Sequence, residues 1–309
     1  MTPVEEIAAK MDALGLWSVV APYNWAIKPH GSAFPYFCTV IGGDGKLVKT
    51  RFLMLEGWQT MHDYVHTRID RNFGCISTPM ELPHYELIFV TNGEAKLFRY
   101  DTGYVPREAD EREQAFCAKM LWEAYGVMLR VEADRNLPMS FAAEKAVFAR
   151  VESADGKWSD APLSVPDARP HVECVKFSKK VLEKAKDLPN DTGLKILIDF
   201  RILAGAQTSH QRPRAVYSLM AVDAATGGKF FESRTSVDPE AGLKAMWESM
   251  PERVLEEIVG AGRVPGEIAL VSGRVFRMLR ALCVELPFKL SLHDSLPALD
   301  AAFAKRDVR

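Results

Sequence analysis

Two groups of side chains in this chain have types and spacings that can do chemistry. The first is His62-Asp63-Tyr64-Val65-His66. On a helix, histidines at i and i+4 share one face and can hold a zinc ion between them, and Asp70 continues that stripe at i+8. Asp63 stands where zinc peptidases carry a general-base Glu, but its side chain is shorter and reaches a metal-bound water less well. Histidine pairs of this spacing also sit on many solvated helices. The second group is acidic: Asp199, Glu232 and Asp294. Strand-borne carboxylates hold Mg²⁺ when several converge. A single one pairs with a neighbouring cation, here Arg201 or Arg274, and that structural role is the expected one for Asp199. His293-Asp294 follows a strand end, where ligands collect at the carboxyl edge of a sheet, although an Asp there equally caps local amides. His84, beside Pro83, has no partner that the sequence assigns.

These residues must be positioned by elements, and turn chemistry outlines them. In the first half, Tyr36 to Val40 and Leu47 to Leu55 read as strands around the glycine-rich turn Gly42-Gly43-Asp44-Gly45. Asn92-Gly93 predicts a type I′ hairpin that sets Ile88 opposite Leu97, Glu86 opposite Arg99 and Tyr85 opposite Tyr100. Asp110 to Tyr125 reads as a helix with Phe116, Met120 and Ala124 on one stripe, ended by Gly126. Residues 153–170, rich in Pro, Ser, Asp and Gly and without periodicity, predict an interdomain linker.

Beyond it, Val172 to Lys186 reads as a basic helical lead-in. Leu194 to Ile202 is a strand with Leu194, Ile196, Ile198 and Phe200 on one face and Asp199 on the other. Ala215 to Val222 and Lys229 to Ser233 continue as an antiparallel meander. Asp238-Pro239 predicts a helix start, with a kink or split at Pro251. A strand (Glu267 to Ser272), a helix (Gly273 to Glu285), a strand with Phe288, Leu290 and Leu292 facing inward, and a last helix capped by Ser295 complete the chain. Alternating strands and helices there imply parallel pairing, so the sheet is mixed.

This string from Leu194 to Phe303 resembles the core of the ribonuclease-H-like superfamily, in particular its retroviral-integrase and transposase branch. The phrase AVYSLMAVDAATGGKFFESRTS is similar to the second and third strands of an integrase-type domain. The resemblance implies metal-dependent cutting and joining of phosphodiesters. It also implies an Asp in the middle of the first strand, a second at the end of the fourth and a further acid near the last helix, which together hold Mg²⁺. Asp199 matches the first position, and Asp294 or Asp300 supplies the last. Ser272 stands at the second, and a neutral hydroxyl is a poor Mg²⁺ ligand. The whole chain also resembles a bacterial two-domain family of unknown function. The organisation predicted is an α+β domain over residues 1–152, the linker, and an α/β ribonuclease-H-like mixed-sheet domain over residues 171–309 with Asp199 on a central strand and Ser272 near it.

Bulk properties bound the function. The chain has 309 residues, 48% of them hydrophobic, enough for two buried cores. No apolar run reaches the roughly 18 residues of a membrane helix, and the N-terminus has no signal-peptide core, which predicts a cytoplasmic protein with no membrane contact. Five scattered cysteines without a CxxC pair predict neither a zinc ribbon nor a disulfide framework. A net charge of −2 disfavours nucleic acid as a partner. The ribonuclease-H-like resemblance points the other way, as does a local basic surface of Arg201, His210, Arg212, Arg214, Arg274, Arg277 and Arg280, although solvated charges on strand ends and helix faces explain those residues equally well; Arg201, Arg212, Arg274 and His293 are the binding candidates. No Walker, dinucleotide, GxSxG or kinase motif occurs. Trp17, Trp25, Trp58, Trp122 and Trp158 fall in the first domain or the linker, so that domain reads as a recruiting module for a protein partner. The reading is therefore a non-catalytic binding or scaffold protein without a cofactor. The alternatives are a divergent metal-dependent nuclease using Asp199 with Asp294 or Glu232 and Mg²⁺, and a zinc hydrolase at His62 and His66.

Overall fold

A computed structural model describes residues 2–15, 25–42, 46–69, 81–137, 146–166, 174–207, 212–238 and 240–307, the side chains of 65–69, 204–207 and 306–307 excepted. The protein is mixed α/β, and it divides into two compact units. One comprises Met1–Val65, Ser77–Thr102 and Pro106–Arg169; the other comprises His66–Ile76, Gly103–Val105 and Pro170–Arg309. No helix among the described residues is long and apolar enough to cross a membrane.

The first unit carries an eight-stranded mixed sheet: β1 (Trp25–Lys28), β2 (Tyr36–Gly42), β3 (Val48–Glu56), β4 (His84–Val90), β5 (Ala95–Tyr100), β6 (Arg107–Glu108), β7 (Ala146–Glu152) and β8 (Trp158–Ser164). The order is β6-β5-β4-β3-β2-β1-β7-β8, with β1 and β7 parallel. Helices α1 (Pro3–Ala13) and α3 (Glu111–Ala133) cover one face, where Ile7, Met11, Met120 and Leu121 meet Trp25, Phe52 and Leu87. On the other face α2 (Gly57–Ile69) sets Tyr64 and Trp58 against Phe37, Leu53 and Leu55.

Three expectations for this unit are corrected. The β4–β5 register is shifted by one residue: His84, not Tyr85, faces Tyr100, and Leu87 faces Leu97. Val90 N donates to Glu94 O (2.8 Å), so Thr91-Asn92-Gly93 forms a three-residue loop with Gly93 at φ 89° rather than a two-residue turn. A slip of one residue turns every side chain to the opposite face. Second, α3 does not end at Gly126. Its N-terminus is fixed by a capping box between Asp110 and Glu113, and Val127, Met128 and Val131 extend the buried stripe beyond the glycine. Third, residues 153–164 of the stretch read as a linker complete a hairpin: Ser153 N donates to Lys157 O (2.9 Å) around Asp155-Gly156, and β8 pairs with β7 from Trp158 to Ser164, while 167–170 lie outside the described residues. Edge strands tolerate Pro162 and polar residues because one side is unpaired, which is why the composition reads as loop.

The second unit carries a five-stranded sheet of β9 (Asn190–Gln207), β10 (Ala215–Asp223), β11 (Lys229–Ser236), β12 (Val264–Leu270) and β13 (Lys289–Leu292). Its order is β11-β10-β9-β12-β13; β10 runs antiparallel to both neighbours, while β9, β12 and β13 are parallel. Helices α4 (Lys179–Lys186), α5 (Gly242–Glu248), α6 (Met250–Ala261) and α7 (Gly273–Glu285) pack on the face of Ile196, Ile198 and Phe200. Helix α8 (Pro297–Asp307) packs on the face of Leu197, Met220 and Val222 through Leu296, Leu299 and Phe303. The split near Pro251 appears as the break at Ser249 between α5 and α6. Asp238 does not cap a helix directly; its carboxylate accepts from Glu240 N and Ala241 N in a turn ahead of α5. Leu292 is exposed rather than inward.

Candidate functional site

Asp199 sits in the middle of β9, the central strand. Alternation along the pleat points it at the α8 layer with Leu197 and Leu203, opposite to Ile198 and Phe200. It is 4% exposed. Its carboxylate accepts from Phe200 N (2.9 Å) and from Arg201 Nε (2.5 Å). Arg201 shares that face, being two residues on, and reaches α8, where its guanidinium meets Asp300 Oδ1 at 2.8 Å and lies 4.6 Å from the Phe303 ring centre. One guanidinium therefore holds two carboxylates. Burial pushes the Asp199 carboxyl pKa up, against the pull of Arg201 and the Phe200 amide. Burial works to lower the Arg201 pKa, but Asp199 and Asp300 outweigh it and Arg201 stays cationic.

The other acids do not join this group. Met220 is paired with Asp199 on one side and with Glu232 on the other. Glu232 is thus two strands away, roughly 10 Å at the usual strand spacing, and its carboxylate meets Arg234 (3.2 Å) and Lys229 (3.7 Å). Asp294 is exposed and makes no hydrogen bond or ion pair among the described residues. Ser272 is the N-cap of α7: its hydroxyl accepts from Val275 N at 3.3 Å, a role for which serine is among the preferred residues. This donor set does not fit a two-ion Mg²⁺ site, because Asp199 and Asp300 share an arginine and the hydroxyl at the fourth strand's end is committed to a helix. Among the described residues no group of three or more His, Cys, Asp or Glu side chains is placed to hold a metal ion.

The remaining candidates disperse. Arg274 does not belong to a basic surface: it is 3% exposed and lies over Trp247, 3.7 Å from the ring centre. Arg212 stacks on Tyr104 at 4.0 Å, and His210 lies outside the described residues. His293 is exposed and its Nε2 is 3.0 Å from Ser291 Oγ. The Ser291 hydroxyl donates to Glu267 (2.6 Å), which Lys195 and Ser291 hold below the usual carboxylate range. With its proton committed there, Ser291 accepts from His293 Nε2–H, so that nitrogen is not placed to take the serine's proton. His62 is in α2, 3.9 Å from Asp63, while the His66 side chain and Asp70 lie outside the described residues.

A polar group that the sequence did not assemble lies in the first unit. His84 is fully buried, its Nδ1 2.7 Å from Leu82 O, its ring stacked on Tyr100 at 4.2 Å and its Nε2 3.8 Å from Glu86. Burial works to raise the Glu86 pKa, but the neighbouring His84 and Tyr100 and the charge of Arg51, 3.3 Å away, outweigh it and hold the acid low. The one-residue register slip hid this grouping; the pattern His84-x-Glu86 on a strand was its only signal.

Residues 181–305 match the model of a family described as a domain of unknown function, DUF6930. The match runs from within α4 to within α8 and so covers the five-stranded sheet with Asp199, Arg201 and Asp300. No curated protein and no solved structure matches the chain.

Proposed function

We propose that this protein is a non-catalytic binding or scaffold protein whose second unit is a degenerate ribonuclease-H-like domain. The observation that carries the reading is Arg201. A guanidinium lies between the strand carboxylate and the last-helix carboxylate, at 2.5 and 2.8 Å, where the resemblance implies divalent ions. The antiparallel meander β9–β10–β11 followed by parallel β12 and β13, with the acid on the central strand, supports the fold part of the reading. Ser272 as a helix cap supports the loss of the second acid. The test is incubation of the purified protein with labelled DNA and RNA in Mg²⁺ and in Mn²⁺. No cleavage above buffer is expected; cleavage that disappears in Asp199→Asn overturns the proposal and favours the nuclease alternative.

A further inference from the structure

Helix α3 turns a second, unexplained face outward. Opposite the buried stripe, Ala115, Lys119, Trp122, Gly126, Leu129 and Ala133 recur at alternating spacings of four and three, the seam spacing of packed helices. Trp122 is 40% exposed and Leu129 43%. The Trp122 ring is held in place by Tyr125, edge-on at 6.2 Å, and by Lys10 of α1 at 5.4 Å. Glycine inside a helix is unfavourable, and nothing among the described residues requires one at Gly126: its φ is not positive, and a Cβ there would meet none of them within 4 Å. A glycine in an exposed seam, flanked by a large ring, leaves a notch for another surface.

We infer that this seam is a self-association surface on which α3 of a second copy packs antiparallel about a two-fold axis. In the register that sets each Trp122 ring into the Gly126 notch of the other copy, Ala115 faces Ala133 and Lys119 lies over Leu129 within reach of Glu132. A two-fold makes each of these contacts twice. Charge selects both the occupant and the direction. Lys119 pairs with Glu152 of its own chain at 3.3 Å, but its side chain is 64% exposed and can take a second carboxylate, and Glu132 is exposed with no ion pair among the described residues. A parallel pairing would set Lys119 against Lys119 and Glu132 against Glu132, whereas the antiparallel one joins opposite charges. This inference goes beyond the reading of the second unit and stands without it, since a nuclease result does not bear on α3.

Sedimentation equilibrium of the full chain over a range of concentrations tests it, with thermal melting as the folding control. The expected result is a monomer–dimer equilibrium weakened about tenfold or more by Trp122→Ala. Gly126→Gln is the sharper variant. It fills open space with a better helix former, so it raises the melting temperature of the dilute protein while weakening the dimer, a pair of opposite signs that misfolding cannot produce. Lys119→Glu and Glu132→Lys each weaken association, and the double exchange restores it. A chain that stays monomeric throughout, or a dimer indifferent to Gly126→Gln and to the charge exchange, overturns the inference.

Discussion

Replacing Arg201 by Met keeps an apolar stem near Phe303 but leaves Asp199 buried without its cation. The carboxylate must then either remain charged with the Phe200 amide as its partner or take up a proton. With an unfolded-state pKa of about 3.9, neutralising it at pH 7 costs at most about 4 kcal/mol, and at pH 5 about 1.5 kcal/mol, from 1.36 kcal/mol per unit. Removing one member of a buried pair is worth about 3–5 kcal/mol in general. Arg201 is partly exposed, with 31% of its side chain reached by solvent, and Asp300 is half exposed, so the lower part of the range is expected. The expected loss is about 2–3 kcal/mol at pH 7. In the variant the folded state binds a proton that the unfolded state releases, so its stability falls as pH rises, and the deficit against the natural protein must shrink between pH 7 and pH 5. Asp199→Asn in the same background should recover most of the loss. Trp247, the single tryptophan of residues 170–309, packs edge-on to Phe200 at 4.9 Å and reports this unit. Urea titration followed by the fluorine signal of 5-fluorotryptophan at Trp247 reads the effect. A loss below about 0.5 kcal/mol at pH 7, or one of equal size at both pH values, would refute the ion-pair reasoning.

Further outcomes follow from single contacts. Ser272→Ala should destabilise by about 1 kcal/mol through loss of the α7 cap, while Ser272→Asp, an equally good cap, should be near neutral and confer no DNA cleavage in Mg²⁺; urea midpoints and the cleavage assay check both halves. Gly266→Ala places a Cβ 2.6 Å from Thr192 O at a register shift between β9 and β12, and a loss of about 1–3 kcal/mol in the same titration is expected. Acid should destabilise the protein. Glu152 is held low by the His30 amide and Glu267 by Lys195 and Ser291; for Asp160, Arg130 and Arg150 outweigh a burial effect that acts upward. Their stabilisation is present above the unfolded values of about 4 and is lost as pH falls through the depressed folded ones. A urea midpoint that rises between pH 5 and pH 3 would contradict this.

What the sequence determined by itself is what local chemistry decides. Asp110 and Glu113 start α3, Pro251 interrupts the α5–α6 run, and alternation along β9 separates Asp199 from Ile198 and Phe200; each depends on residues within a few positions of one another. Asp155-Gly156 is an equally local hairpin signal, but it lies in a Pro-, Ser-, Asp- and Gly-rich stretch whose composition reads as loop. What only the tertiary structure decided involves partners far apart in the chain. The β4–β5 register turned on one extra loop residue, which both loop geometries allow locally and which packing of Leu87 and Leu97 on α1 and α3 distinguishes. The edge strand β8 has too little buried surface to impose a periodic pattern, and it becomes a strand through pairing with β7. At the site, Asp199 and Arg201 were legible as neighbours on one strand face. Asp300 lies about a hundred residues on, and no spacing rule ties it to them. The packing of Leu299 and Phe303 against the sheet sets where α8 places that carboxylate, and only then does one arginine lie between two acids.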